Sequence, residues 1–309
     1  MHMADALLST PVALAMVGLS AAALAGAGRA LRLGAEDRRV PLMGVLGAFV
    51  FALQMVNFAI PGTGASGHLG GGLLLAILLG PAAALVAMTS VLVVQALCFG
   101  DGGLLALGAN VFNLGVLPCL VAYPLVYRPL AGTRPGPRQA MAAMIAALVA
   151  LQLGALGVVL QTGASGIAGL PMSTFAWLML PIHTAIGLAE GLATAALVRF
   201  LQRSAPEWLP AAGESNPAPR GPQRTMIRRT AAATVFTAAV LSALASPLPD
   251  GLEWSLAAAT GPAAGAAAVP EAAAAASPLA GLVGSGLTLL ALVGVATWLR
   301  RRGPQPPDA

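Results

Sequence analysis

The chain has 309 residues, of which 58% are hydrophobic and only 9% charged, where a soluble domain carries roughly a quarter of its residues charged. A water-soluble class is therefore excluded, and the chain belongs in lipid. The formal charge of +5 comes with no basic patch interleaved with aromatics, which argues against a nucleic-acid partner. Apolar runs approach the ~20 residues of a spanning helix instead of alternating like barrel strands. Backbone polar groups in hydrocarbon must be satisfied internally, so an all-α integral membrane protein is expected.

Met1 to Leu8 carries Asp5 and no arginine, unlike the cationic start of a signal peptide. The N-terminus is therefore expected to be mature. Met1 should be retained because a large His2 follows it, leaving a free terminal amine. Spanning helices are expected over 11–27, 41–60, 69–79, 81–99, 104–127, 140–160, 176–198, 230–244 and 279–299. Every basic residue is arginine, and the arginines cluster after the first, fifth, seventh and ninth runs and before the eighth. Arginine-rich short loops stay cytoplasmic, so the N-terminus is expected outside and the C-terminus in the cytoplasm.

Residues 69–99 read as one tilted helix or as two crossings broken at Gly80-Pro81. Parity favours two, because Arg39 and Arg128 both require the cytoplasmic side. Proline after glycine is also a natural place for a helix to stop. Residues 1–203 are expected to form one membrane domain, 204–229 a polar cytoplasmic linker, 230–302 a two-helix module and 303–309 a cytoplasmic tail. The outer loop of the module, residues 245–278, is rich in Pro, Gly and Ala and reads as largely disordered. Thr-Gly-Ala-Ser-Gly occurs at 63–67 and again at 162–166, by coincidence or by duplication. Cys98 and Cys119 show no metal or redox spacing and read as packing residues.

Two of the three histidines, His2 and His68, fall at or near the outer surface. The Met1 amine, the His2 amide nitrogen and the His2 imidazole can close adjacent five- and six-membered chelate rings, with His68 as the fourth nitrogen. Four nitrogens in a plane suit Cu2+ or Ni2+, with Co2+ also open, whereas Zn2+ wants a tetrahedron and Mg2+ wants oxygen. His68 sits in a glycine-rich loop whose small residues allow close backbone approach. His183 and Glu190 lie two turns apart on one helix face. Intramembrane ionisable groups are costly, so the two are supporting or coupling groups, or a hydrogen-bonded pair facing the bundle interior. Asn57, Gln95, Asn110 and Asn113 form a polar set within apolar segments, and Asp101-Gly102-Gly103 reads as an outer turn that could attract a metal.

These residues resemble the nickel and cobalt substrate-binding (S) components of energy-coupling factor (ECF) transporters, the CbiM/NikM family. The resemblance rests on Met1-His2, on Asn57-Phe58 leading through Pro61-Gly62 to Ser66-Gly67-His68-Leu69, on Gly80-Pro81, and on Asp101-Gly102-Gly103. It continues through Gly108-Ala109-Asn110-Val111-Phe112-Asn113 to His183, Gly187 and Glu190-Gly191. In the second module, Pro249-Asp250-Gly251-Leu252-Glu253 resembles the signature of a small NikN-type two-helix subunit, here fused. The resemblance implies a seven-helix bundle whose extracellular N-terminal segment folds back inside. It also implies Ni2+ or Co2+ held by Met1, His2 and His68. From their place in apolar segments, Asn57, Asn110, Asn113, His183 and Glu190 are the candidates for supporting or coupling residues, the asparagines fixing the loops or lining the cavity. The implied partners are a transmembrane coupling (T) protein, cytoplasmic ATPases and the lipid of a bacterial inner membrane, with no cofactor beyond the transported ion. The sequence departs from the family pattern at Met3-Ala4-Asp5-Ala6-Leu7-Leu8-Ser9, which lacks the usual Pro and Gly. That departure leaves the loop geometry, and with it affinity and metal choice, to be tested.

The expected function is thus high-affinity capture of an extracellular metal ion, without catalysis. No nucleotide-binding motif occurs in the chain, so ATP hydrolysis must come from partners. The competing readings are an outward-facing copper or metal sensor, and an intramembrane enzyme using His183 and Glu190, which no HExxH or paired-acid motif supports.

Overall fold

The structure is a computed structural model that describes residues 2–31, 39–132, 136–166, 169–209, 223–261 and 277–302. Met1, much of the expected linker, residues 262–276 and the tail at 303–309 lie outside the described residues. Ten helices are labelled in chain order. They are α1 (Thr10–Ala30), α2 (Arg39–Gln54) and α3 (Gly72–Leu79), α4 (Pro81–Phe99) and α5 (Leu107–Ala131), α6 (Pro137–Ser165) and α7 (Met172–Ser204), α8 (Gln223–Leu244), α9 (Gly251–Thr260) and α10 (Pro278–Arg302). Helices α1 to α7 form a seven-helix bundle, and α8 to α10 the C-terminal module. Among the described residues a single hairpin interrupts this all-α membrane fold, pairing β1 (Phe58–Ile60) with β2 (Ala65–Gly67) in the register Phe58–Gly67, Ala59–Ser66 and Ile60–Ala65.

Each of the nine expected runs contains a helix, but only seven of the described helices are long and apolar enough to cross a bilayer. The exceptions are α2, which gives way to the hairpin, and α3. Eight residues span about 12 Å, far short of the ~30 Å hydrocarbon layer, so α3 does not cross it alone. The break falls where the sequence puts it: Gly80 has φ 82° and ψ 162°, and Pro81 opens α4 in the first turn, where its missing N–H costs nothing. In α5 the turns widen to the π type from Phe112 to Tyr127, around Pro118 and Pro124, each of which removes a backbone donor.

Small residues bring the long helices together. Along α6, Ala143, Ala146, Ala147, Ala150 and Gly154 are buried. Opposite them, Gly187 and Gly191 of α7 face Leu148, Leu151 and Met144 so closely that an added Cβ would crowd backbone atoms. Phe51, Phe175, Met43, Leu85 and Met88 are fully buried between the helices.

The C-terminal module docks on α2. Leu289 and Leu292 of α10 sit over Gly44 and Gly47, Phe51 packs against Gly284, and Ser285 Oγ donates to the Ala48 carbonyl at 3.2 Å. Contrary to the expectation of disorder over 245–278, its described part is folded. Asp250 Oδ1 accepts from Leu252 N at 2.8 Å and Glu253 N at 2.9 Å, while Glu253 Oε2 accepts from Asp250 N at 3.1 Å. This reciprocal capping box satisfies orphan N–H groups at the start of α9. The repeated pentapeptide adopts unrelated conformations, ending in β2 at 63–67 and closing α6 at 162–166, so the repetition is not structural.

Candidate metal centre

The N-terminal segment enters the bundle. Met3, Leu7 and Leu8 are at most 2% exposed. Asn110 holds the segment like a paired strand: its Oδ1 accepts the Met3 N–H at 2.7 Å and its Nδ2 donates to the Met3 carbonyl at 3.1 Å. Gly103 N also donates to that carbonyl at 2.9 Å, and Asp5 Oδ1 accepts from Ala106 N at 2.9 Å. A Cβ at Gly103 would collide with Asp5, so the glycine is what admits the segment. Asn113 Nδ2 reaches the Met3 thioether at 3.7 Å and pairs with Gln161, which donates in return.

The unusual residues after His2 fit without strain. Ala4 has φ −82° and ψ 157°, close to what proline would impose. No described non-glycine residue has positive φ, so Ala6 needs no glycine-only conformation.

This threading places His2 against His68, with ring centroids 5.1 Å apart and planes 20° from parallel. His2 Nδ1 donates to Asp101 Oδ1 at 2.7 Å, while its Nε2 is buried without a hydrogen-bond partner. The chelate expected from the sequence uses Nδ1, the nitrogen that Asp101 engages here, so the ring must leave Asp101 to present it. Burial raises the Asp101 carboxyl, but the charge and hydrogen bond of His2 outweigh it, and the group lies below its usual range.

His68 follows β2 and is 8% exposed. Its Nδ1 donates to the Leu69 carbonyl at 3.3 Å. Burial, reinforced by repulsion from neighbouring positive charge including His2, lowers its pKa to about 3. The ring is therefore neutral near pH 7, the form that ligates metals.

Two buried devices hold the loop after His68. The Glu190 carboxylate accepts from Gly70 N at 2.8 Å and Gly71 N at 3.0 Å. Gln95 Nε2 donates to Gln54 Oε1 at 2.8 Å, and Gln54 Nε2 donates to the Gly70 carbonyl at 2.7 Å. Glu190 thus positions the loop and is not paired with His183, whose Nδ1 donates to the Met179 carbonyl at 2.8 Å. Asn57 takes part through its backbone, its carbonyl accepting from Ser246 N at 2.8 Å. Cys119 is buried with Sγ toward the Gly72 carbonyl, and Cys98 is exposed.

The C-terminal module closes over this region, a contact the sequence alone does not disclose. Ser66 N donates to the Pro249 carbonyl at 2.7 Å and Ser66 Oγ to the Leu248 carbonyl at 2.7 Å. A cavity beneath is lined by His68, His183, Asp250, Gly251, Leu114 and Ile186 among others. Among the described residues no three His, Cys, Asp or Glu side chains are placed to share one ion, so an ion held by His2 and His68 would need donors beyond side chains of these types. Met1, the expected further donor, lies outside the described residues.

The chain as a whole is similar to known proteins. A putative metal transport protein of Haloquadratum walsbyi is 38% identical over 210 residues, covering 67% of this chain and 92% of that one. A putative fused nickel transport protein NikMN of Archaeoglobus fulgidus is 36% identical, covering 67% of each. The crystal structure of a truncated transition metal transporter superposes with a TM-score of 0.57 at 30% identity, covering 65% of this chain and 98% of that one. The profile of the family described as "cobalt uptake substrate-specific transmembrane region", CbiM, matches residues 2–208. That span takes in the threaded N-terminal segment, the His68 loop and Glu190, and the chain belongs to the CbiM family.

Proposed function

We propose that the chain is the substrate-specific membrane component of an ECF-type importer, binding extracellular Ni2+ or Co2+ with high affinity. The Met1 amine, the His2 amide and imidazole nitrogens, and His68 hold the ion. One observation carries this reading: two imidazoles 66 positions apart in the chain lie stacked at 5.1 Å, one of them on an N-terminal segment drawn into the bundle by Asn110. Nitrogen donors, here including an amide that gives up its proton, suit nickel and cobalt, whereas magnesium and calcium prefer oxygen. Asn110 and Asn113 act through Met3, and Glu190 acts through the His68 loop. The arginine distribution supports an N-terminus outside and a C-terminus in the cytoplasm of a multi-pass inner-membrane protein. In this reading the chain performs no catalysis. A transmembrane coupling protein and cytoplasmic ATPases supply the work, and the fused module corresponds to the small accessory subunit.

Calorimetry with Ni2+, Co2+ and Cu2+ tests the proposal, using the native chain, a chain extended by one residue before Met1, and His68→Ala. Tight nickel or cobalt binding that both changes abolish is expected. Affinity retained in both would reject the site, and preference for Cu2+ with no uptake would favour the sensor.

A further inference from the structure

We infer that the fused module and α7 together build a second cation subsite inside His68, in which His183 Nε2 and the Asp250 carboxylate receive the divalent transition-metal ion on its way inward. The inference rests on the import reading and concerns a step beyond capture. Three observations carry it.

The first is the state of His183. A carbonyl oxygen only accepts, so the 2.8 Å contact with Met179 puts the proton of the neutral ring on Nδ1 and leaves the lone pair on Nε2. That nitrogen is fully buried and has no partner, a condition that costs free energy unless something binds there. A histidine oriented by a backbone carbonyl through one nitrogen, with the other bare, is the arrangement used by metal ligands.

The second is the cavity. His183 shares it with His68 and Asp250, and its volume of about 10 Å³ admits a single occupant of about the size of one water. An ion released by His68 would therefore meet His183 and Asp250 without crossing hydrocarbon.

The third is Gly251. A Cβ there would press on His183 Cε1, Ile182 and Ile186, so glycine is what lets the Asp250 loop close over the imidazole. The capping box then fixes Asp250 where its charge lies over the cavity. One imidazole and one carboxylate form a borderline donor pair suited to nickel or cobalt. Such a pair binds more weakly than a nitrogen chelate, as an ion that must leave requires.

Calorimetric and equilibrium-dialysis titration of the full chain in lipid nanodiscs with Ni2+ tests this. Two equivalents are expected, one tight and one at least about tenfold weaker, and His183→Gln should lower the count from two to one. Asp250→Asn, which still caps α9 because Asn is an equally good cap, should weaken the second equivalent by about tenfold or more, and it serves if the His183 variant does not fold. A single equivalent in the wild type that His183→Gln leaves in place, or two undiminished equivalents in both variants, would overturn the subsite. Loss of the tight equivalent alone, with a weak one that His183→Gln abolishes, would contradict the capture reading and support the subsite.

Discussion

The Glu190 carboxylate and the Gly70 N–H stand 2.8 Å apart across 120 positions of sequence, with Gly71 N on the other oxygen at 3.0 Å. A carboxylate in the membrane interior is thereby committed to holding the backbone just after His68. Glu190→Gln replaces one accepting oxygen by an NH2 group that faces an N–H. Charge-assisted hydrogen bonds are worth about 1.5–3 kcal/mol, so nickel affinity should fall about tenfold to a hundredfold while His68 remains present. Calorimetry on this variant checks it, and unchanged affinity would remove the loop-positioning role.

Asn110 and Asn113 should differ in what they support. Asn110→Ala removes two hydrogen bonds to Met3 at about 1 kcal/mol each, and metal affinity should fall about thirtyfold as the N-terminal segment loosens. Asn113 makes only a thioether contact to that segment, and its stronger bonds are to Gln161. Asn113→Ala should therefore lower the thermal midpoint more than it lowers affinity. Measuring both quantities on both variants separates the roles.

Much of the fold is legible because apolar runs in lipid can only be helices, and Gly80-Pro81 marks its break openly. The hairpin is not legible, since three-residue strands in a glycine-rich turn give no alternation to read. Nor does the shortness of α3 show, because Leu69-Gly70-Gly71 extends its apolar run without extending its helix. At the site, Met1-His2 and His68 stand out by chemistry, whereas the Asp101 contact to His2 joins positions 99 apart and leaves no local signal. The folded part of 245–261 does have a signal in Asp250 and Glu253, a capping-box spacing, but the alanine-rich surroundings mask it. The amides Gln54 and Gln161 look like ordinary helix residues, and only the packed bundle shows what they bond.

Ser66 joins the two modules, and its hydroxyl bond to Leu248 is separable from its backbone bond to Pro249. Ser66→Ala should loosen the module's loop by about 1 kcal/mol without unfolding the bundle. Amide exchange at Asp250 to Glu253 should then speed up about fivefold, the change expected when a local opening free energy falls by that amount. Exchange that stays at the wild-type rate would mean that the hydroxyl does not hold the loop.

The depressed pKa of His68 links stability to pH with a definite sign. The folded ring titrates at about 3 instead of 6.5, so the unfolded chain binds the proton first. The stability is fully present above pH 6.5 and is lost progressively as pH falls from 6.5 toward 3. Between pH 7.5 and 4.5 the thermal midpoint of the wild type should drop further than that of His68→Ala, with His183 common to both. Equal drops would place the titration elsewhere.

Nickel-edge X-ray absorption on the loaded chain tests the central claim most directly, that His2 and His68 share one ion. The wild type should show only light-atom donors in near-planar geometry with the outer-shell scattering of two imidazoles, and His68→Ala should leave one or bind no nickel. Two imidazoles persisting around a bound ion in His68→Ala would contradict the account.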